Sequence, residues 1–322
     1  MPATCLQTAE QAPLDWGIHQ SWTWQGQAIH WRSLGPPEGA ALLLLHGFGA
    51  NSEHWRACAP ALAEQGYRVY AMDLIGFGRS SQPGLHSGLT LDNRLWGRQV
   101  GAFIREVIGQ PAVLIGNSLG GLAALTAAVL EPSTVLAVVA APLPDPALIT
   151  PVSPRRRPLQ RRWSRRLLRT ILRLLPLELL LPLITRTPLL KSGLQGAYNR
   201  SISHDRALLR SIQRPAIRPT AARALRAMCV GMGLRPHGAT APALLQRLRQ
   251  PILLIWGLQD RFVPYRLGQQ VQQNHPAVDL MAIDGCGHCP HDECSESFLQ
   301  LLLPWLDRNL GERRPAGTNQ RR

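Results

Sequence analysis

The sequence predicts an α/β fold: a mostly parallel central sheet, helices on both of its faces, and a helical cap inserted after one core strand. Three observations predict it. Short, mostly apolar runs over 40–45, 67–72, 112–115, 135–141, 251–256 and 278–283 alternate with longer stretches at helical spacing. A strand without polar alternation is one covered on both sides, as in parallel sheets between helices. The alternation stops near residue 146 and resumes near 249, leaving a basic, leucine-rich, Pro-interrupted block between. Finally, Gly116-Asn117-Ser118-Leu119-Gly120 lies between an apolar strand and a helix of small apolar residues. That is the setting of a sharp strand-to-helix turn.

Taken in order, residues 1–26 read as a leader and an edge strand, and 27–145 as the first part of the core. Residues 146–248 read as the basic cap, 249–310 as the second part of the core, and 311–322 as a disordered tail. Trp16 to Trp24 and Gln27 to Leu34 alternate apolar with polar residues, as a hairpin at a sheet edge does. Pro36-Pro37-Glu38-Gly39 is a turn. Helical spacing marks Trp55 to Gln65, Leu91 to Ile108, Pro264 to Asn274 and Ser295 to Asn309. Strands alternating with helices imply right-handed crossovers in a mostly parallel sheet.

The chain of 322 residues carries a net charge of +15, but unevenly. Residues 151–250 hold 20 Arg and Lys191 against only Glu178 and Asp205, a net of +19, so the remainder carries −4. A genomic preference for Arg explains why Lys191 is the only lysine. It does not explain why acids vanish from one segment, which calls for an anionic partner, membrane or acidic protein. Met1 to Leu14 has neither the basic nor the apolar region of a secretory signal, and no apolar run is long enough to span a bilayer. The six cysteines are expected to be free thiols and the location cytoplasmic, with peripheral attachment to an internal membrane open.

Gly-x-Ser-x-Gly in that context is a nucleophile elbow: the turn exposes the Ser118 hydroxyl at the sheet edge, and its glycines avoid clashes. A serine needs a base, and the base an orienting acid. In this architecture they follow in the order Ser, Asp or Glu, His. Asp260, after the strand ending at Trp256, and His288, in Gly285-Cys286-Gly287-His288, fit that order. Asp260 could instead cap the following helix, and Asp145 is a fallback acid in a Pro-rich turn. His291 reads as a supporting or surface residue and Asp73 as structural. Two backbone N–H groups should bind the oxyanion: Leu119, after the nucleophile, and Phe48 of His46-Gly47-Phe48-Gly49, after the first core strand. Cys286, His288, Cys289, His291 and Cys294 suggest zinc, but one loop without a second cluster makes a poor tetrahedral site and would consume the base. Neither a metal nor a cofactor is expected.

In the cap, Trp163, Leu167, Ile171 and Leu174 recur on one helical face, flanked by Arg162, Arg165, Arg166, Arg169 and Arg173. Arg155–Arg173 therefore reads as a basic amphipathic element suited to an anionic membrane surface. The leucines could equally line a pocket for a long apolar substrate. Nucleic acid is not expected, for want of a binding fold.

Together these motifs resemble the α/β-hydrolase superfamily over roughly residues 27–309. More narrowly, three segments resemble the plant and cyanobacterial chlorophyll dephytylase and pheophytinase group: Leu95-Trp96 through Gly109, the elbow with Asn117 and its double glycine, and Gly287-His288-Cys289-Pro290-His291-Asp292-Glu293. The resemblance implies hydrolysis of a phytyl ester, with Ser118, Asp260 and His288 as the triad. Open alternatives are a general carboxylesterase, a cofactorless haloperoxidase-like or carbon–carbon bond hydrolase, and an idle hydrolase fold that binds membranes. Ser118 argues against dehalogenases and epoxide hydrolases, whose nucleophile is acidic. The oligomeric state is not legible.

Overall fold

The computed structural model describes residues 15–149, 166–167, 170–171 and 174–311. Residues 1–14 of the expected leader, 312–322 of the expected 311–322 tail and most of the Arg155–Arg173 element lie outside the described residues.

Among the described residues eight strands form one sheet: β1 (Ile18–Trp24), β2 (Gln27–Leu34), β3 (Ala41–Leu45), β4 (Arg68–Met72), β5 (Ala112–Gly116), β6 (Val135–Ala140), β7 (Ile252–Gly257) and β8 (Val278–Ile283). Their order is β1-β2-β4-β3-β5-β6-β7-β8. β1 and β2 form an antiparallel hairpin, and β2 meets β4 antiparallel. Every other neighbouring pair is parallel.

The continuous apolar strands are explained by two buried faces. Leu43, Leu45, Leu114 and Trp256 pack with helices α2 (Asn93–Phe103), α3 (Leu119–Leu130) and α8 (Arg266–Asn274). The intervening Leu42, Leu44, Val113 and Ile255 pack with α1 (Cys58–Glu64) and α9 (Ser295–Leu310). The stretch expected as one helix from Trp55 is split: a tight turn over Ser52–Trp55 precedes α1. The stretch expected to run to Ile108 is α2 followed by a wider turn, closed by Gly109 at φ +75°.

Between β6 and β7 the chain forms α4 (Leu177–Arg186), α5 (Pro188–Gln195), α6 (Arg206–Ala216) and α7 (Ala221–Leu234). α5, α6 and the segment between them meet the body in a small third core containing Ala50, Tyr198, Ile202, Leu208 and Cys289, whereas Ala224, Ala227 and Met228 of α7 join the core on the α2–α3 face. After β3 the chain passes to β4 on one side, and then to β5 on the other. The carboxyl ends of β3 and β5 thus flank a topological switch point, where open α/β sheets place ligands.

Candidate active site

β5 ends at Gly116 and α3 begins at Leu119, so Asn117 and Ser118 alone make the turn. Ser118 adopts φ +51° and ψ −116°, a strained region that costs a residue with a side chain about 1–3 kcal/mol. The surroundings hold it there. Asn117 N–H donates to Leu45 O at 2.9 Å, Ser118 N–H to Ala141 O at 3.3 Å, and Gly120 N–H to Asn117 O at 2.8 Å. A Cβ on Gly116 would overlap the Gly120 peptide, and one on Gly120 would overlap the carbonyl of Leu45. Those two glycines are therefore the space the turn occupies.

His288 and Asp260 come together after β8 and β7. His288 Nδ1 lies 2.8 Å from Asp260 Oδ2. The other carboxylate oxygen, Oδ1, accepts the N–H groups of Phe262 and Val263 at 2.8 and 2.9 Å. One oxygen thus fixes its own loop and the other meets the imidazole; the expected helix cap is not made, since α8 begins at Arg266 with Tyr265 at its N-cap and no side-chain cap bond. Both loops are tied to each other through Gln259, whose N–H donates to Cys286 O and whose Oε1 accepts Cys286 N–H. Asn117 Nδ2 donates to Ala141 O at 2.6 Å and to His288 O at 3.0 Å, joining the elbow to the histidine loop. Asp145, the fallback acid, is committed elsewhere, accepting from Arg235, Ala147 N–H and Ala241 N–H.

The loop after β3 is set by His46. Leu74 N–H donates to His46 Nε2 at 3.0 Å, so the proton sits on Nδ1, which donates to Gly47 O at 2.8 Å. Burial lowers the pKa of this imidazole, consistent with a neutral ring. In a planar trans peptide the N–H points opposite to the C=O, so the bond to Gly47 O directs Phe48 N–H away from His46. A Cβ on Gly47 would stand 3.4 Å from Ser118 Cβ, so this peptide lies against the elbow. Leu119 opens α3, where first-turn N–H groups lack intrahelical acceptors. The aromatic rings of Phe48 and Phe262 are exposed at 62% and 56%, the latter 5.4 Å from His288.

Asp73 is structural in its contacts: it accepts from Ser52 N–H, Arg79 N–H and His30. Burial opposes its charge, but the His30 hydrogen bond and nearby imidazoles hold the carboxyl well below the usual range. His291 departs from expectation. It is fully buried, with its ring 4.2 Å from that of Trp55 and 4.7 Å from that of His54, and neither ring nitrogen has a partner. It is a core residue, neither a surface group nor a hydrogen-bonded support. The other members of the Cys/His loop are separately engaged, the Cys286 thiol with Cys294 and Cys289 with the Tyr198 hydroxyl, while Cys58 of α1 donates to the carbonyl of His291.

Behind the site lies a buried ionic network that motif reasoning missed. Arg56 donates to both oxygens of Asp205 and, through Nε and Nη2, to Asp292 at 2.8 and 3.2 Å. Tyr198 OH donates to Asp292 at 2.9 Å and accepts from His54 Nε2 at 2.7 Å. Arg200 stands 3.8 and 4.0 Å from Asp205 and Asp292, balancing the charge. Glu293 accepts Gly287 N–H on one oxygen and the N–H groups of Asn199 and Arg200 on the other. The turn Pro290–Glu293 therefore clamps the histidine loop to the segment between α5 and α6. The available signal was the scarcity of acid: Asp205 is one of two carboxylates among residues 151–250.

A strained serine at an elbow, an Asp–His pair on neighbouring strand ends and a glycine-rich loop against the serine define a hydrolase-type site. The model described as "Alpha/beta hydrolase family" matches residues 42–301, and the chain belongs to that family. Among curated relatives, pheophytinase of Arabidopsis thaliana, a chloroplastic protein, is 26% identical over 84% of this chain. The match spans 61% of that relative's length. Pimeloyl-[acyl-carrier protein] methyl ester esterase of a Shewanella species is 30% identical over 84% of this chain and 91% of its own. Among solved structures, a serine hydrolase of carbazole degradation superposes with a TM-score of 0.69 at 21% identity, covering 90% of this chain and 99% of its own. That likeness shows the fold.

Proposed function

We propose that this hydrolase cleaves a carboxylic ester through an acyl-enzyme on Ser118, and that its substrate is a long apolar ester of the phytyl-chlorin class. The observation that carries the chemistry is Ser118 at φ +51° on the switch-point elbow, with its loop hydrogen-bonded to that of the Asp260-oriented His288. In the proposed reaction His288 takes the Ser118 proton as Oγ attacks the ester carbonyl. The N–H groups of Phe48 and Leu119 hold the oxyanion. Collapse expels the alcohol, which receives the proton from His288. Water then attacks the acyl carbon, His288 takes its proton, and the acid leaves as Ser118 is reprotonated.

The substrate class is supported by the exposed Phe48 and Phe262 rings flanking the site and by the likeness to pheophytinase. The ester chemistry is supported by the methyl ester esterase relative. The test incubates the protein and its Ser118→Ala variant with pheophytin a, chlorophyll a and short aryl esters, separating products by chromatography. Ser118-dependent release of phytol is expected. Turnover of aryl esters with both pigments intact would overturn the substrate class, and hydrolysis by Ser118→Ala at the unaltered rate would overturn the mechanism.

A further inference from the structure

Large apolar side chains are exposed in one place above all. Of the 16 exposed ones among the described residues, nine fall between Leu167 and Leu189. On α4 the outward positions are Leu179, Leu180, Leu183 and Ile184, with Leu179 at 75% and Leu183 at 57% exposure. They recur at i, i+1, i+4 and i+5, one face of a helix. The opposite face is fastened down: Thr185 is buried, its carbonyl accepts from Gln213 at 2.7 Å, and Arg226 donates to Leu175 O and Glu178. The leucines therefore cannot turn inward without breaking those bonds. A soluble surface rarely presents such a patch unless something covers it.

The charge around the patch identifies what covers it. Both acids of residues 151–250 are neutralised within the fold, Glu178 by Arg226 and Asp205 by Arg56. The exposed charges near α4 and α5 include Arg186 and Lys191. A face that is apolar at its centre and cationic around it repels a second copy of itself. It complements a surface with an apolar interior and an anionic boundary. We infer that α4 and α5 dock onto an anionic lipid bilayer, the leucines of α4 entering the acyl boundary and the cap's cations meeting lipid phosphates. Among the described residues no helix is long and apolar enough to cross a membrane, so the contact is interfacial. This inference is independent of the ester chemistry, since binding is measured without turnover.

The test sediments the full chain with vesicles of phosphatidylglycerol and phosphatidylcholine, or of phosphatidylcholine alone, at low and high salt. A Leu179→Gln/Leu183→Gln variant is compared. Both side chains are exposed, so the fold persists, as an unchanged melting temperature checks. Binding should prefer the anionic vesicles and weaken with salt as the Debye length shrinks. The variant should partition at least about tenfold less. Equal binding to both vesicle types would overturn the inference. So would wild-type-like binding of the variant, which would mean charge alone attracts the chain. A lipid-free dimer that the variant loses would assign the face to a second copy instead.

Discussion

At the scale of single residues, the proposed reaction separates groups assigned to the chemistry from groups that hold the fold. Ser118→Ala keeps the elbow's hydrogen bonds, all made by backbone atoms and Asn117. Turnover of an aryl ester should vanish while the melting temperature stays close to wild type. Asp260→Asn is subtler, because one carboxylate oxygen holds its own loop and the other orients His288. The amide can still cap the turn but cannot hold the imidazole in the right tautomer, so kcat should fall about 10³–10⁴-fold with little loss of stability. Steady-state kinetics beside a thermal melt distinguishes this from unfolding. Gly120→Ala is the opposite case. Its Cβ would press on the Leu45 and His46 carbonyls, and backbone cannot give way cheaply. A loss of about 3 kcal/mol or more should appear in urea unfolding.

At the scale of elements, the turn Pro290–Glu293 carries the most consequence for its length. Asp292 holds Arg56 and Glu293 holds both Gly287 and the 199–200 peptide groups. Arg56→Leu leaves Asp205 and Asp292 buried with their main cation gone. Breaking a buried pair from one side costs on the order of 3–5 kcal/mol, measurable as a lower urea midpoint. The inner strands were readable because burial on both faces removes polar interruptions, as in β7, whereas the edge strand β8 keeps an exposed Asp279. Asp260 and His288 were readable because each lies within a few residues of a strand's carboxyl end. The network was not, since Arg56 lies 149 residues from Asp205 and 236 from Asp292. No local pattern reports contacts of that range. His291 was misread for a related reason: its burial comes from Trp55 and Phe298 on distant elements, and histidine's polarity suggested the surface.

At the scale of the whole molecule, charge is sorted by depth, and stability should follow pH accordingly. Burial lowers the pKa of His46 and His291, and that of His54 to about 4, against an ordinary value of 6.5. The unfolded chain therefore binds protons below pH 6.5 that the folded chain refuses until about pH 4, so stability falls as the pH drops through that window. For Asp292, burial opposes the charge, but His54 and Arg56 lower its pKa from 3.8 to about 2. Its contribution is complete above the unfolded value and is lost as the pH falls from about 4 toward 2. Urea midpoints between pH 7 and pH 4 should decline steadily, and His54→Gln should flatten that decline by up to about one proton. A midpoint independent of pH over this range would contradict the buried, neutral histidines.

The reaction proposed at the elbow is tested most directly by covalent trapping. The protein is treated with a fluorophosphonate, digested and read by mass spectrometry, beside His288→Ala. The expected result is one adduct, on the peptide carrying Ser118, formed far more slowly without His288. An unlabelled Ser118, or labelling at the same rate in His288→Ala, would contradict a serine activated by that histidine.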